Sequence, residues 1–179
     1  TLNGTTISNF SGDAVLLTST LANLDIKNSS NITSSNYPIS YRAAGAVTFT
    51  GNNDLTGNNY DLIYISNYLT SLTTTLHLPL APIPYYFYGL TVRSSGELSI
   101  ASNNVIKFRR NSGLTIEGKL TANANPNEFI YFTTIEDDNW GGIDDNKDGS
   151  ATSGDSQDWY GIIFSGSDPT SSMVRCQVS

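Results

Sequence analysis

The chain has 179 residues and a net charge of −7, long enough for one domain with a sizeable core. Nine Lys and Arg face sixteen Asp and Glu, and no basic stripe runs along the chain, which argues against nucleic acid as a partner. Asn, Thr, Ser and Gly abound beside ten Tyr and seven Phe, a composition that suits strands and tight turns and leaves almost no room for helix.

The chain opens within a strand-like stretch, "TLNGTTISNF", with no initiator Met and no signal-peptide pattern, as expected of a mature or excised segment. Short β-type runs follow between turn signals: "AVLL" at 14, "LDI" at 24, "PISY" at 38, "VTF" at 47, "LIYI" at 62 and "TLHL" at 75. They continue with "YYF" at 85, "LTV" at 90, "LSI" at 98, "VIKF" at 105, "LTI" at 114, "FIYF" at 129 and "GIIF" at 161. Runs this short are strands, and Asn-Asn, Asn-Gly and Ser-Gly pairs punctuate them. No apolar run is long enough to span a bilayer.

Self-similarity decides the kind of all-β fold. "GLTV" at 89 recurs as "GLTI" at 113, "VIKF" at 105 as "FIYF" at 129, and "ISY" at 39 as "IYI" at 63, all at one common interval. "GELSIA" at 96 recurs as "GKLTAN" at 118, a slightly shorter step, and Pro38 and Pro84 stand two such periods apart. A period of about 22–24 residues with three short strands per turn predicts a right-handed parallel β-helix, a solenoid of about seven coils. One β-helix domain over residues 1–179 is expected, either part of a longer chain or part of an assembly. Asn at the corners fits, because it tolerates left-handed backbone and ladders its amide from turn to turn. Phe132 and Phe164 stand farther apart than one period, and the excess reads as an eight-residue insertion of the acidic segment into one coil.

The run "LTVRSSGELSIASNNVIKFRRNSGLTIEGKLTANANPNEFIYFTT", with the acidic loop and "DWYGIIFSGSDPTSSMVRCQVS" after it, resembles right-handed parallel β-helix segments of large bacterial surface and secreted proteins. The resemblance covers about residues 85–179, and implies a fold and an extracellular or cell-surface setting without supplying an activity. "IASNN" stands where that family often has a Pro-Gly corner, and "NEFIYF" lacks the usual Pro.

The charge is concentrated. Residues 136–158 carry eight acids against Lys147 alone, which accounts for the whole net charge. Within this segment "DDNKDGSATSGD" places Asp144, Asn146, Asp148, Ser150 and Asp155 at positions 1, 3, 5, 7 and 12 of an EF-hand-type loop, with Gly149 at the sharp reversal. Side-chain oxygens at 1, 3, 5 and 12 and a backbone carbonyl at 7 suit calcium. Asp at 12 resembles the dockerin type of loop, but the flanks are not helical. The expectation is a calcium loop on a β-helix corner, structural rather than catalytic, with Glu136, Asp137, Asp138 or Asp158 as further ligands or supporting groups.

Other candidates are weaker. Many right-handed β-helices cleave polysaccharides, and such lyases and hydrolases resemble one another in using an Asp cluster, an Arg or Lys base and often calcium on one sheet face. Arg42, Asp61, Lys107, Arg109 and Arg110 are the residues such an enzyme would draw on, yet no carboxylate pair lies near the bases in sequence, and exposed coil residues are the plainer expectation. His77 is the single histidine and alternates away from Leu76 and Leu78, so it belongs on the surface. Tyr86 and Tyr88 on one face of "PYYFYG", with Trp140 and Trp159 beside the acidic loop, are candidates for stacking on a glycan; core stacking is the competing expectation. Cys176 is unpaired, and the sequons at Asn3, Asn9, Asn28 and Asn31 are expected to arise by chance. The sequence therefore points to a non-catalytic structural or adhesive module: a stalk, filament subunit or adhesin segment. Its strand edges invite further coils or end-to-end self-association, and the alternatives are a polysaccharide lyase or hydrolase and a carbohydrate-binding module.

Overall fold

The computed structural model describes residues 1–140, 144–149, 154, 158–166 and 168–179. Every regular element among them is a strand, and every strand pair is parallel. The longest sheet has seven strands: Val15–Leu17, Ile39–Tyr41, Ile63–Ile65, Tyr85–Phe87, Val105–Phe108, Ile130–Thr134 and Cys176–Val178. Six turns of the coil separate the first of these from the last, so the chain is an all-β parallel solenoid.

The other walls change along the axis. In the first three turns they are the sheet Leu2–Asn3, Asn23–Lys27 and Ala46–Thr50, and the pair Thr6–Ile7 and Asn31–Ile32, which a bridge from Asn31 extends to Asp54. In the later turns they are two four-stranded sheets. One holds Ser71–Leu72, Leu90–Val92, Leu114–Ile116 and Ile162–Phe164, the other Thr75–Leu78, Glu97–Ile100, Lys119–Asn123 and Ser172–Val174. Only the long sheet runs through both halves.

The register reproduces most of the sequence period. Leu90 lies opposite Leu114, Ile39 opposite Ile63 and Glu97 opposite Lys119, as the repeats predict. Two expectations are corrected. Val105 pairs with Tyr131 and not with Phe129, its counterpart in the repeat, so this turn is slightly longer than the period. Phe132 and Phe164 belong to different sheets: Phe132 stacks under Val178, and Phe164 on Ile116. From Ile116 to Phe164 the chain covers about two periods, so the insertion lengthens its coil by about a whole period rather than by a third of one.

Stacked inward residues make one continuous core. Leu17, Tyr41, Ile65, Phe87 and Phe108 form one buried file of the long sheet, and Ile39, Ile63, Tyr85, Ile106 and Phe132 a second. Parallel strands need satisfied corners, and buried asparagines supply them. Asn58 donates Nδ2 to Ile32 O and Leu55 O at 3.0 and 2.8 Å, and Asn104 donates to Pro79 O and Ala101 O at 3.0 Å. Each thereby ties one coil to the preceding one. Asn9, Asn28, Asn103, Asn111 and Asn127 take the positive φ that the corner composition suggests. At one corner the backbones touch: a Cβ on Gly118 would fall 2.1 Å from Arg93 O.

Candidate metal centre and its anchor on the long sheet

The outward file of the long sheet reads Leu16, Ser40, Tyr64, Tyr86, Lys107, Thr133. Strand alternation aims these side chains away from the core, where solvent is expected, yet Ser40, Tyr86, Lys107 and Thr133 are all buried. Two things cover them. Tyr37 stacks on Tyr64 at 4.6 Å and Tyr60 at 4.9 Å, and Tyr64 on Tyr86 at 5.5 Å, forming an aromatic layer. Beyond it the acidic insertion folds back over the sheet.

Lys107 is the centre of that contact. Its side chain is 0 % exposed, its Nζ donates to Asp137 O at 2.8 Å, and it lies 2.6 Å from Asp145 Oδ2. Farther back along the solenoid, the Asp61 N–H donates to Asp145 O at 3.2 Å, and Lys147 pairs with the Asp61 carboxylate. The insertion thus runs lengthwise across the sheet, from the strand Ile130–Thr134 back to the approach of Ile63–Ile65. Lys107 and Asp61 are therefore buried anchors, and the expectation that both are exposed coil residues is corrected. Arg42, Arg109 and Arg110 are exposed, as expected; Arg42 lies over Tyr68, Arg109 over Tyr88, and Arg110 binds Asp158 at 2.6 Å. His77 is exposed too, with Nδ1 2.7 Å from Ser99 Oγ.

Next to this anchor, Asp138, Asp144 and Asp148 each bring one carboxylate oxygen within 4.8 Å of the others. A calcium ion takes oxygen ligands at about 2.3–2.6 Å, so oxygens on opposite sides of it stand about 5 Å apart, and the spacing fits. Asp138 Oδ1 and Asp144 Oδ1 are sealed from solvent and accept no hydrogen bond. An all-carboxylate donor set selects a hard divalent cation over a transition metal. Of the sequence-expected ligands, Asp144 and Asp148 come together with Asp138. Asn146 sits between them; its Oδ1 accepts the Asp148 N–H at 3.2 Å and its Nδ2 donates to Asp148 Oδ2 at 3.0 Å, shaping the turn. Ser150 and Asp155 lie outside the described residues.

The flanking acids have other partners. Asp137 accepts from Thr133 Oγ1 at 2.7 Å and from the Asn139 N–H at 2.9 Å. Glu136 accepts from Thr134 Oγ1 and lies 3.6 Å from Arg110 Nε, while Asp158 holds the other side of that guanidinium. Electrostatics follow from crowding. Burial raises the Asp138 carboxyl above the usual 3.8; Lys107 opposes this, and Asp144, Asp148 and Asp137 reinforce it. Burial likewise raises Asp145 against the pull of Lys107, with Asp61 and Asp138 adding to the rise. A cation among these groups would favour their charged forms.

The glycan-stacking candidates separate. Trp159 is inside, stacked on Phe108 at 4.3 Å with Nε1 donating to Ser179 O at 2.7 Å, so it belongs to the core. Tyr86 is 7 % exposed beneath the tyrosine layer, which closes it as a platform. Tyr88 is half-buried with Arg109 over its ring, and Trp140 is 37 % exposed on Tyr131, its ring centroid 4.2 Å away. Two adjoining clefts, the larger about 390 Å³, open where the wall changes, and their lining, including Phe49, Asn53, Leu80, Pro82 and Asn103, holds no acid or base.

The sequence could have revealed Lys107. It is the lone charge in the strand "VIKF", one period from Tyr86, in a chain whose net charge sits wholly in one segment. Compared with known protein families, with curated proteins and with solved structures, the chain matches none of them.

Proposed function

We propose that this chain is a non-catalytic structural or adhesive module of an extracellular or cell-surface protein, a stiff β-solenoid segment whose insertion is pinned by calcium. The observation that carries the reading is the insertion's position. It lies along the outer face of the long sheet, held by Lys107 and Asp61, with the Asp138, Asp144 and Asp148 oxygens gathered at its base. Calcium bound there would neutralise carboxylates that otherwise repel one another and would keep the insertion on the sheet. Weak oxygen-ligand sites suit a compartment where calcium is millimolar.

The competing reading, a polysaccharide lyase or hydrolase, draws on the same residues, because Lys107 has carboxylates around it. Lys107 is sealed from solvent by the insertion, so a polymer has no route to it. The outer edges of Ile162–Phe164, Ser172–Val174 and Cys176–Val178 have a neighbour on one side only among the described residues, and Phe164 and Val178 are 47 % and 54 % exposed. Further coils, or a second copy stacked end to end, would complete that edge.

Thermal melting with calcium, with magnesium and with EGTA tests the reading. At calcium a hundred times its Kd the expected gain is about 2.7 kcal/mol, and roughly 5–10 °C in Tm for a chain of this size; Asp144→Asn should abolish it. A Tm indifferent to EGTA refutes the calcium clip. Turnover of any acidic or neutral polysaccharide refutes the non-catalytic reading.

A further inference from the structure

Lys107 is the one buried base among the described residues, and its contact with Asp145 is unusual. Nζ lies 2.6 Å from Asp145 Oδ2, while its directed hydrogen bond goes to the backbone carbonyl of Asp137 at 2.8 Å. Ion pairs sealed from water normally depend on well-angled hydrogen bonds to offset the loss of hydration. Here the amine's directed hydrogen bond is made to a backbone carbonyl while the carboxyl is held against it, and side-chain exposure is 0 % for Lys107 and 5 % for Asp145. Both partners are also held from behind. The Lys107 backbone pairs with Tyr86 on one side and Thr133 on the other. Asp145 is tethered through its own carbonyl to the Asp61 N–H and through the neighbouring Lys147 to the Asp61 carboxylate.

We propose that Lys107 and Asp145 condense into an intramolecular isopeptide bond that closes the insertion covalently on the long sheet. A proton passes from Nζ to the carboxylate within the pair, leaving a neutral amine beside a neutral acid. The Nζ lone pair attacks Cγ, forming the N–C bond; the Cγ–Oδ2 bond then breaks, and the oxygen leaves as water with two of the three amine protons. Atoms and charge balance, and the step takes no oxidant, reductant or co-reactant. Fixed proximity supplies the effective concentration that a free amine and acid lack. Exclusion of water favours the amide over its hydrolysis.

The intact mass of the purified protein, read again after prolonged incubation, tests this. The expected mass is lower than that of the sequence by one water, and digestion yields one branched peptide joining the segments that contain residues 107 and 145. Lys107→Met and Asp145→Ala should each restore the full mass and abolish the branched peptide. Asp145→Asn should keep the cross-link, with ammonia leaving in place of water. A succinimide at Asp148–Gly149 would also remove one water, but it gives no branched peptide and survives Lys107→Met. A parent protein at full sequence mass overturns the proposal, as does a water loss without a branched peptide joining the segments that contain residues 107 and 145. If a variant does not fold, the parent's mass and peptides still decide. The outcome is independent of the calcium reading, since EGTA changes a melting temperature and leaves a covalent mass unaltered.

Discussion

Replacing Lys107 by Met isolates what holds the insertion in place. Met fills most of the volume along the strand but removes Nζ, and with it both the donor to Asp137 O and the cation paired with Asp145. In protein whose mass shows the pair unlinked, removing one partner costs about 3–5 kcal/mol because the other charge stays desolvated. The insertion can limit that cost by lifting away, but lifting takes Asp137 from Thr133 and breaks the Asp61 contacts. The expected change is therefore a Tm lower by roughly 10 °C, with faster proteolysis inside residues 136–158. In the double variant Lys107→Met with Asp145→Leu no charge is stranded, so most of the loss should return, giving a coupling energy of about 2–3 kcal/mol in a double-mutant cycle. Denaturant melts of the four proteins measure it. A single variant within about 1 kcal/mol of the parent, or strictly additive effects, would refute the claim that this pair anchors the insertion.

Three further outcomes follow from the fold. Trp159→Ala removes the indole that covers Phe108 and should cost about 3–5 kcal/mol, whereas Trp140→Ala, on a partly exposed ring, should cost under about 1 kcal/mol; denaturant melts followed by circular dichroism compare them. Gly118→Ala puts a methyl 2.1 Å from Arg93 O, and the corner backbone has to move, so a loss of about 1–3 kcal/mol is expected in the same melts. Burial holds the phenols of Tyr37, Tyr41, Tyr85 and Tyr86 above the usual 10.0, so the unfolded chain releases protons first as pH rises. Stability contributed by each is intact below pH 10 and falls above it by about 1.4 kcal/mol per pH unit. Absorbance titration should show these four ionising only as the protein unfolds; smooth titration of all ten tyrosines in the folded state would contradict the packing.

The solenoid is legible in the sequence because its inward files repeat chemically. Leu90 over Leu114 and Ile39 over Ile63 are like on like, and a period is visible wherever that holds. Legibility fails where different walls share one composition. "FIYF" and "GIIF" look like counterparts, but Phe132 faces the core from the long sheet and Phe164 ends a different one, so the insertion reads as too short. Candidate ligands close together in sequence are visible as a spacing, and oxygens of Asp144 and Asp148 do come together. Asp138 joins them through the fold-back of the segment rather than through a fixed interval in the motif. Lys107 reads as a surface residue because an outward strand position is exposed only when nothing lies over it, and what lies over it includes Asp137 and Asp145.

A stack of coils is in energetic terms a one-dimensional chain, each turn supported by the turns before and after it, and such chains fray from their ends. The tie from Asp145 to Asp61 breaks that rule. It connects the turn that carries the insertion to one three turns away, adding a coupling that skips the neighbours between. The stretch from Ile63–Ile65 to Ile130–Thr134 becomes a single cooperative block inside a repeat protein, and whatever governs the insertion governs how many turns must open at once.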